Sequence, residues 1–285
     1  MPEFTDPHGV VITYYVWPAE TPIGVVQLAH GIGEYAQRYE PLALALNDAG
    51  FTVYANDHRG HGRTGVRQHG GDLAKLGKLG PGGLDATIAN IRQLSAIITK
   101  ENPTIPLVIL GHSWGSLMVQ KIINSNARDY DAVVLTGTAY RMPGSMNAGD
   151  LNKQHKHLGT TGFEWLSRDP AVAEAFLADP LCFDADVLKL FGVADGMRLF
   201  GRPAKDLGRD LPMLIMNGSD DSVGGVESVE KLAAVYRQRS GLTDVELKIY
   251  PDARHEIFNE TNKDEVFADL VTWLVERVNR LSPAS

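Results

Sequence analysis

Ile105-Pro106-Leu107-Val108-Ile109-Leu110-Gly111-His112-Ser113-Trp114-Gly115-Ser116 is the stretch on which the fold turns. The run before Gly111 is apolar, the composition of a strand buried on both faces. From about Ser116 to Asn124 the apolar spacing becomes helical. Between the two, Gly111-x-Ser113-x-Gly115 compresses a strand-to-helix turn into five residues. Flanking glycines leave room for a strained backbone at the serine. Its hydroxyl then stands at a helix N-terminus, where amide N–H groups can receive developing negative charge. Five residues match by chance, but a strand before and a helix after make the pattern specific and mark Ser113 as a nucleophile.

Outward from this turn, strand-like runs at 10–17, 24–29, 51–55, 132–136, 211–216 and 245–250 alternate with helical spacing at 39–49, 84–99, 226–236 and 263–281. The strands are continuously apolar. That predicts an α/β fold with a mostly parallel central sheet flanked by helices, whose ligands gather beyond the carboxyl ends of the strands. The rhythm breaks after Ala139. Short helical pieces at 150–158, 171–178, 185–191 and 192–200 follow, separated by Gly and Pro, in a stretch too long for a plain loop. The expected division is core at 1–139, an inserted helical cap at 140–208, and core again at 209–285, with a frayed tail from Ser282.

Composition narrows the class. The chain has 285 residues, 44% of them hydrophobic, and a formal charge of -8 from 27 basic and 35 acidic side chains. It has no basic cluster to serve as a footprint for nucleic acid. The single cysteine, Cys182, excludes an intrachain disulfide framework and a thiolate metal cluster. Residues 1–10 lack the apolar run of a signal peptide and no stretch suffices to span a bilayer, so the expected location is cytoplasmic.

A serine needs a base, and the base an orienting carboxylate. Behind such an elbow the order along the chain is serine, acid, histidine. His255, after the last predicted strand, is the histidine that follows an acid candidate in that order. The acid lies in Asn217-Gly218-Ser219-Asp220-Asp221, where spacing leaves Asp220 and Asp221 even. Glu256 is weaker, because adjacent side chains diverge. One oxyanion donor is the N–H after the nucleophile, on Trp114; the loop His30-Gly31-Ile32-Gly33-Glu34 supplies Ile32 N–H as the other. Asp57-His58-Arg59-Gly60-His61-Gly62 reads as a tight polar loop, with Arg59 pairing Asp57 or bracing the oxyanion loop. Its histidines and His30 lack the spacing of a metal site.

Taken together, His30-Gly31-x-Gly33-Glu34, Tyr39, Asp57-His58-Arg59-Gly60-His61-Gly62, Gly111-His112-Ser113-x-Gly115, Gly218-Ser219-x-Asp221 and His255 resemble the monoacylglycerol lipase and lysophospholipase-like branch of the α/β-hydrolases. The resemblance runs from about Val10 to Val278. It implies the α/β-hydrolase fold, a helical cap over an apolar acyl channel, and a serine esterase without cofactor or metal that cleaves single-chain glycerol esters and related carboxylic esters. It places the acid on Asp221 and the oxyanion donors on Ile32 and Trp114. Two departures bear on substrate. Trp114-Gly115-Ser116 replaces the usual Met-Gly-Gly, and Ile32 stands where a smaller residue is common.

The expected partner is therefore a small-molecule ester, with transient lipid contact through an apolar cap surface and no nucleic acid. Cap residues that pack the core would give the same composition as a lipid-facing surface. The rival reaction is amide, peptide, lactone or carbon–carbon hydrolysis at the same serine. A ligand receptor on the same scaffold is the rival of another class.

Overall fold

The computed structural model describes residues 1–147 and 149–281; the tail expected to fray from Ser282 lies outside them. Eight strands form one sheet in the order β1-β2-β4-β3-β5-β6-β7-β8. They are β1 (Glu3–Thr5), β2 (Val11–Trp17), β3 (Gly24–Ala29), β4 (Phe51–Asn56), β5 (Leu107–His112), β6 (Ala132–Thr136), β7 (Met213–Gly218) and β8 (Val245–Tyr250). β1 pairs antiparallel with β2 and β2 with β4; every pairing from β4 through β8 is parallel.

The continuous apolar runs have a simple cause. β3, β4, β5, β6 and β7 are buried along their whole length, and successive side chains enter different cores. Val25, Ile109, Val133 and Ile215 face a core closed by α3 (Gly83–Glu101), α4 (Trp114–Asn126) and α7 (Gly225–Gln238). Val26, Leu28, Val108, Leu110, Val134, Leu214 and Met216 face a second core under α1 (Glu40–Asp48) and α8 (Lys263–Leu281). The chain leaves β3 toward β4 over the α1 face, then returns past β3 to β5 over the α3 face. The order in which strands are added therefore reverses between β3 and β5, and in open α/β sheets ligands bind beyond the carboxyl ends of the strands at such a point.

Several expectations are corrected. The polar loop at 57–62 runs directly into a helix, α2 (Gly62–Gln68), and the N-terminus contributes β1, too short to read from its pattern. Residues 150–158 are not a helix; they form turns ending in one 3₁₀ turn at Lys156–Leu158. Elsewhere between β6 and β7 lie α5 (Pro170–Ala178) and α6 (Val187–Arg198). α6 is interrupted at Gly192, whose φ of 76° breaks the helical path where the sequence divides its two apolar pieces.

Candidate active site

Ser113 caps α4 with φ 51° and ψ -125°, and it is one of two non-glycine residues with positive φ among those described. The neighbours explain the strain. A Cβ on Gly115 would stand 2.1 Å from Ala29 O and 2.5 Å from His30 O. A Cβ on Gly111 would meet Ser116 Cα at 2.7 Å. The turn is thus pressed against the end of β3, and both glycines are demanded by close approach. Ser113 N–H donates to Thr136 O at 2.9 Å, and Ser116 Oγ donates to Ser113 O at 2.6 Å, so the strained backbone is held from both sides. Trp114 opens α4, so its N–H is one the helix leaves without an internal acceptor.

The histidine and one aspartate meet at the ends of β7 and β8. His255 Nδ1 donates to Asp221 Oδ1 at 3.1 Å, and both side chains are buried. Asp221 Oδ1 also accepts Val223 N–H at 2.7 Å. Asp220 is exposed, and its carboxylate accepts only a long bond from the neighbouring Ser219 hydroxyl, so the pair of aspartates divides between a buried and a solvated position. Burial alone would lower the His255 pKa, but the Asp221 carboxylate outweighs it and holds the imidazole above its ordinary 6.5. Burial likewise opposes the charge of Asp221, yet His255 keeps its carboxyl below the usual range. With Nδ1 committed to Asp221, His255 Nε2 is buried without a protein partner. Gly137 makes room for it: a Cβ there would stand 2.9 Å from His255 Cε1.

The loop after β3 lies beside the serine, since a Cβ on Gly31 would come 3.2 Å from Ser113 Cβ. Gly33 has φ 76°, which turns the loop back, and Ile32 between them is half-buried. Two anchors fix this loop. His30 Nε2 accepts His58 N–H at 3.0 Å, so its Nδ1 carries the proton and donates to Gly31 O at 2.7 Å. Glu34 Oε1 accepts Gly31 N–H at 2.7 Å and Tyr39 Oη at 2.6 Å.

A buried ion network escaped the sequence. Arg38 bridges Glu34 at 2.6 Å and Glu256 at 2.8 and 2.9 Å, tying the loop after β3 to the residue next to His255. Burial opposes the charge of Glu256, but Arg38 carries its pKa down to about 2; Glu34 is shifted upward by burial. Spacing offered a hint only for Glu34 and Arg38, four residues apart. The expected Arg59–Asp57 pair is also replaced. Asp57 is occupied by Tyr15 Oη, Ala36 N–H and Arg63 N–H, and Arg59 instead donates to Asp6 at 2.8 Å with both side chains fully buried.

Residues between β6 and β7 close over the histidine. Trp165 packs on the His255 ring with centroids 4.7 Å apart, Glu256 N–H donates to Leu166 O at 2.7 Å, and Phe183 N–H donates to Gly33 O at 3.0 Å. Ser113 is consequently only 8% exposed. A cavity of about 410 Å³ elsewhere, lined by α3 and α4 residues such as Asp85, Arg92 and Lys121, includes none of these groups. Among the described residues no cluster of three or more His, Cys, Asp or Glu is placed to hold a metal, and no helix is long and apolar enough to cross a membrane.

Known proteins fit this architecture. The sequence model of the family described as "Serine aminopeptidase, S33" matches residues 20–262. A protein of Mycolicibacterium smegmatis named monoacylglycerol lipase is 33% identical over 287 residues, covering 96% of each chain. A thermostable carboxyl esterase from Bacillus coagulans, solved in complex with glycerol, superposes with a TM-score of 0.83 at 25% identity, covering 97% of this chain and 98% of that one. The monoacylglycerol lipase of Paleococcus ferrophilus superposes with a TM-score of 0.71 at 26% identity over 93% of this chain and 99% of its own.

Proposed function

The chain belongs to this serine aminopeptidase family of α/β-hydrolases, among the monoacylglycerol lipase-like members, and we propose that it hydrolyses single-chain apolar carboxylic esters such as monoacylglycerols through an acyl-serine at Ser113. The observation that carries the reading is the state of His255: one ring nitrogen is bound to a buried carboxylate, the other is bare. Ser113 Oγ attacks the ester carbonyl as His255 Nε2 takes its proton. Asp221 holds the Nδ1–H tautomer and stabilises the imidazolium. The N–H groups of Ile32 and Trp114 receive the oxyanion, each worth about 3 kcal/mol to the transition state. His255 then protonates the departing alcohol, and water, deprotonated in turn by His255, clears the acyl group.

Residues 140–208 act as the cap in this scheme, excluding water from the acyl-serine and shaping the acyl site. Leu177 on α5 and Val193 and Met197 on α6 are exposed, and the last two share a helix face four residues apart. Through these exposed apolar side chains the cap meets lipid to collect substrate.

The test is covalent labelling by a fluorophosphonate together with turnover of an ester panel. Ser113→Ala should remain folded, lose labelling and lose about 10⁶-fold in kcat. Retained turnover of a short-chain aryl ester by this variant would overturn the assignment. Labelling of the wild type without turnover of any ester would instead favour an amidase or a receptor.

A further inference from the structure

Trp114 does more than follow the nucleophile. Its indole is 2% exposed, stacked on Phe191 at 5.1 Å and on His61 at 5.3 Å, with His58 edge-on at 5.5 Å. Its Nε1–H is buried without a protein acceptor. On the stacked neighbour, His61 Nδ1 lies 2.8 Å from Arg59 O, which can only accept, so that nitrogen carries the proton. Nε2 of His61 is then a bare lone pair, also buried without a partner. Burial holds the His61 pKa down to about 4, so the ring is neutral near pH 7. Leaving such groups unpaired in the interior is unfavourable unless a ligand completes them. Of the other unpartnered buried donors, Trp273 Nε1 and Tyr236 Oη belong to the helical layers of α8 and α7, and Arg59 Nη2 to a guanidinium already bonded to Asp6 and Leu79 O. Here a donor and an acceptor sit on stacked rings, one of them belonging to the residue after Ser113.

We propose that Trp114 Nε1–H and His61 Nε2 form a subsite for a hydroxyl group of the substrate. A hydroxyl has one proton for His61 and lone pairs for Trp114; a carbonyl or ether satisfies only the indole, and an ammonium only the imidazole. Phe183, packed on His61 at 5.2 Å, and Phe191 wall the subsite with aromatic surface and disfavour a charged group. The inference rests on Ser113 being the nucleophile. Since Trp114 also supplies a main-chain oxyanion donor in that scheme, the hydroxyl lies within a few bonds of the ester carbonyl. It belongs either to the alcohol, as in a glycerol ester, or to the acyl chain, as in a hydroxyacyl ester.

The experiment compares kcat/KM for two pairs on the full chain: 1-octanoylglycerol against propyl octanoate, and ethyl 3-hydroxyoctanoate against ethyl octanoate. At least one hydroxylated member should be preferred about tenfold or more, because a site built to bond a hydroxyl rejects the analogue lacking it. The pair that shows the preference identifies its source. Trp114→Phe, which keeps the ring and removes the N–H, and His61→Phe should each bring that ratio toward one, while His61→Gln, which keeps an acceptor, retains part of it. Ratios near one in both pairs for the wild type, or a preference untouched in Trp114→Phe and His61→Phe alike, overturn the subsite. The unhydroxylated esters report separately on the nucleophile: turnover by the wild type and not by Ser113→Ala upholds Ser113 whatever the ratios, and turnover by Ser113→Ala removes both readings.

Discussion

An added Cβ at Gly115 would stand 2.1 Å from a backbone oxygen, whereas at Gly162, between β6 and β7, nothing lies within 4 Å. The contrast extends to whole regions. The loops at the ends of β3, β5, β7 and β8 are pressed together by backbone approach, buried ion pairs and paired carboxylates. The segment over them is tied to the core by the Arg168–Glu260 ion pair and by bonds from Arg254 to Glu164 O and Ser167 O, yet it keeps Leu158, Leu177, Val193 and Met197 in solvent. A reaction that needs its groups held within fractions of an ångström requires the first kind of construction. A surface that admits different acyl chains is better served by the second. In the proposed function, the chemistry and the accommodation of the acyl chain therefore fall to regions under different physical constraints.

The sharpest break in this comparison is chemical. Asp221→Asn is expected to lower kcat by about 10⁴-fold, since the amide favours the wrong imidazole tautomer. Asp220→Asn, exposed one residue away, should change kcat by less than about twofold. Equal mild losses from both would refute the choice of acid. The base acts only when neutral, so kcat/KM should rise with pH, its midpoint above the ordinary 6.5 because Asp221 raises the His255 pKa. Removing that carboxylate lets burial prevail and moves the midpoint to lower pH. A pH profile of both variants checks the sign.

A smaller break is mechanical. Gly115→Ala should cost more than about 3 kcal/mol in denaturant titrations, because the clash is with the backbone of β3 and no side chain can move aside. Gly162→Ala, at φ 84° in open space, should cost about 1–2 kcal/mol for its left-handed backbone alone. Similar costs at the two sites would mean that the elbow has more freedom than its contacts indicate.

The same division explains what the sequence made legible. Ser113 and Asp221 follow β5 and β7, whose continuous burial leaves an unmistakable apolar pattern, His255 follows the half-buried β8, and their order along the chain is fixed by the fold. Spacing could not separate Asp220 from Asp221; the family pattern did, and burial gives the physical reason. The Arg38 bridge to Glu256 and the Arg59 pair with Asp6 join residues 218 and 53 positions apart, a separation on which local pattern is silent. Residues 150–158 misled because their apolar spacing resembles a helix, while the observed chain is held by side-chain bonds: Asn152 Nδ2 to Glu164 at 2.6 Å and Asn152 N–H to Asp150 at 3.0 Å. Asn and Asp compete with helical hydrogen bonding in this way. His61 and Trp114 were visible as residues, but their unpaired nitrogens become apparent only when the rings are stacked.

The smallest expected effect lies on the cap edge. Leu177→Ser and Met197→Ser replace side chains that are 61% and 59% exposed, so each should alter stability by no more than about 0.5 kcal/mol. Turnover of a soluble short-chain ester should change by less than about twofold, because neither side chain reaches the serine through the buried groups around it. Sedimentation with phosphatidylcholine vesicles is the measurement that separates the alternatives. If the edge meets lipid, the double variant binds vesicles several-fold more weakly at unchanged stability. Equal binding assigns these leucine and methionine side chains to the ordinary apolar surface of a folded protein and confines substrate choice to the buried side of the cap, where Phe183 and Phe191 face His61 and Trp114.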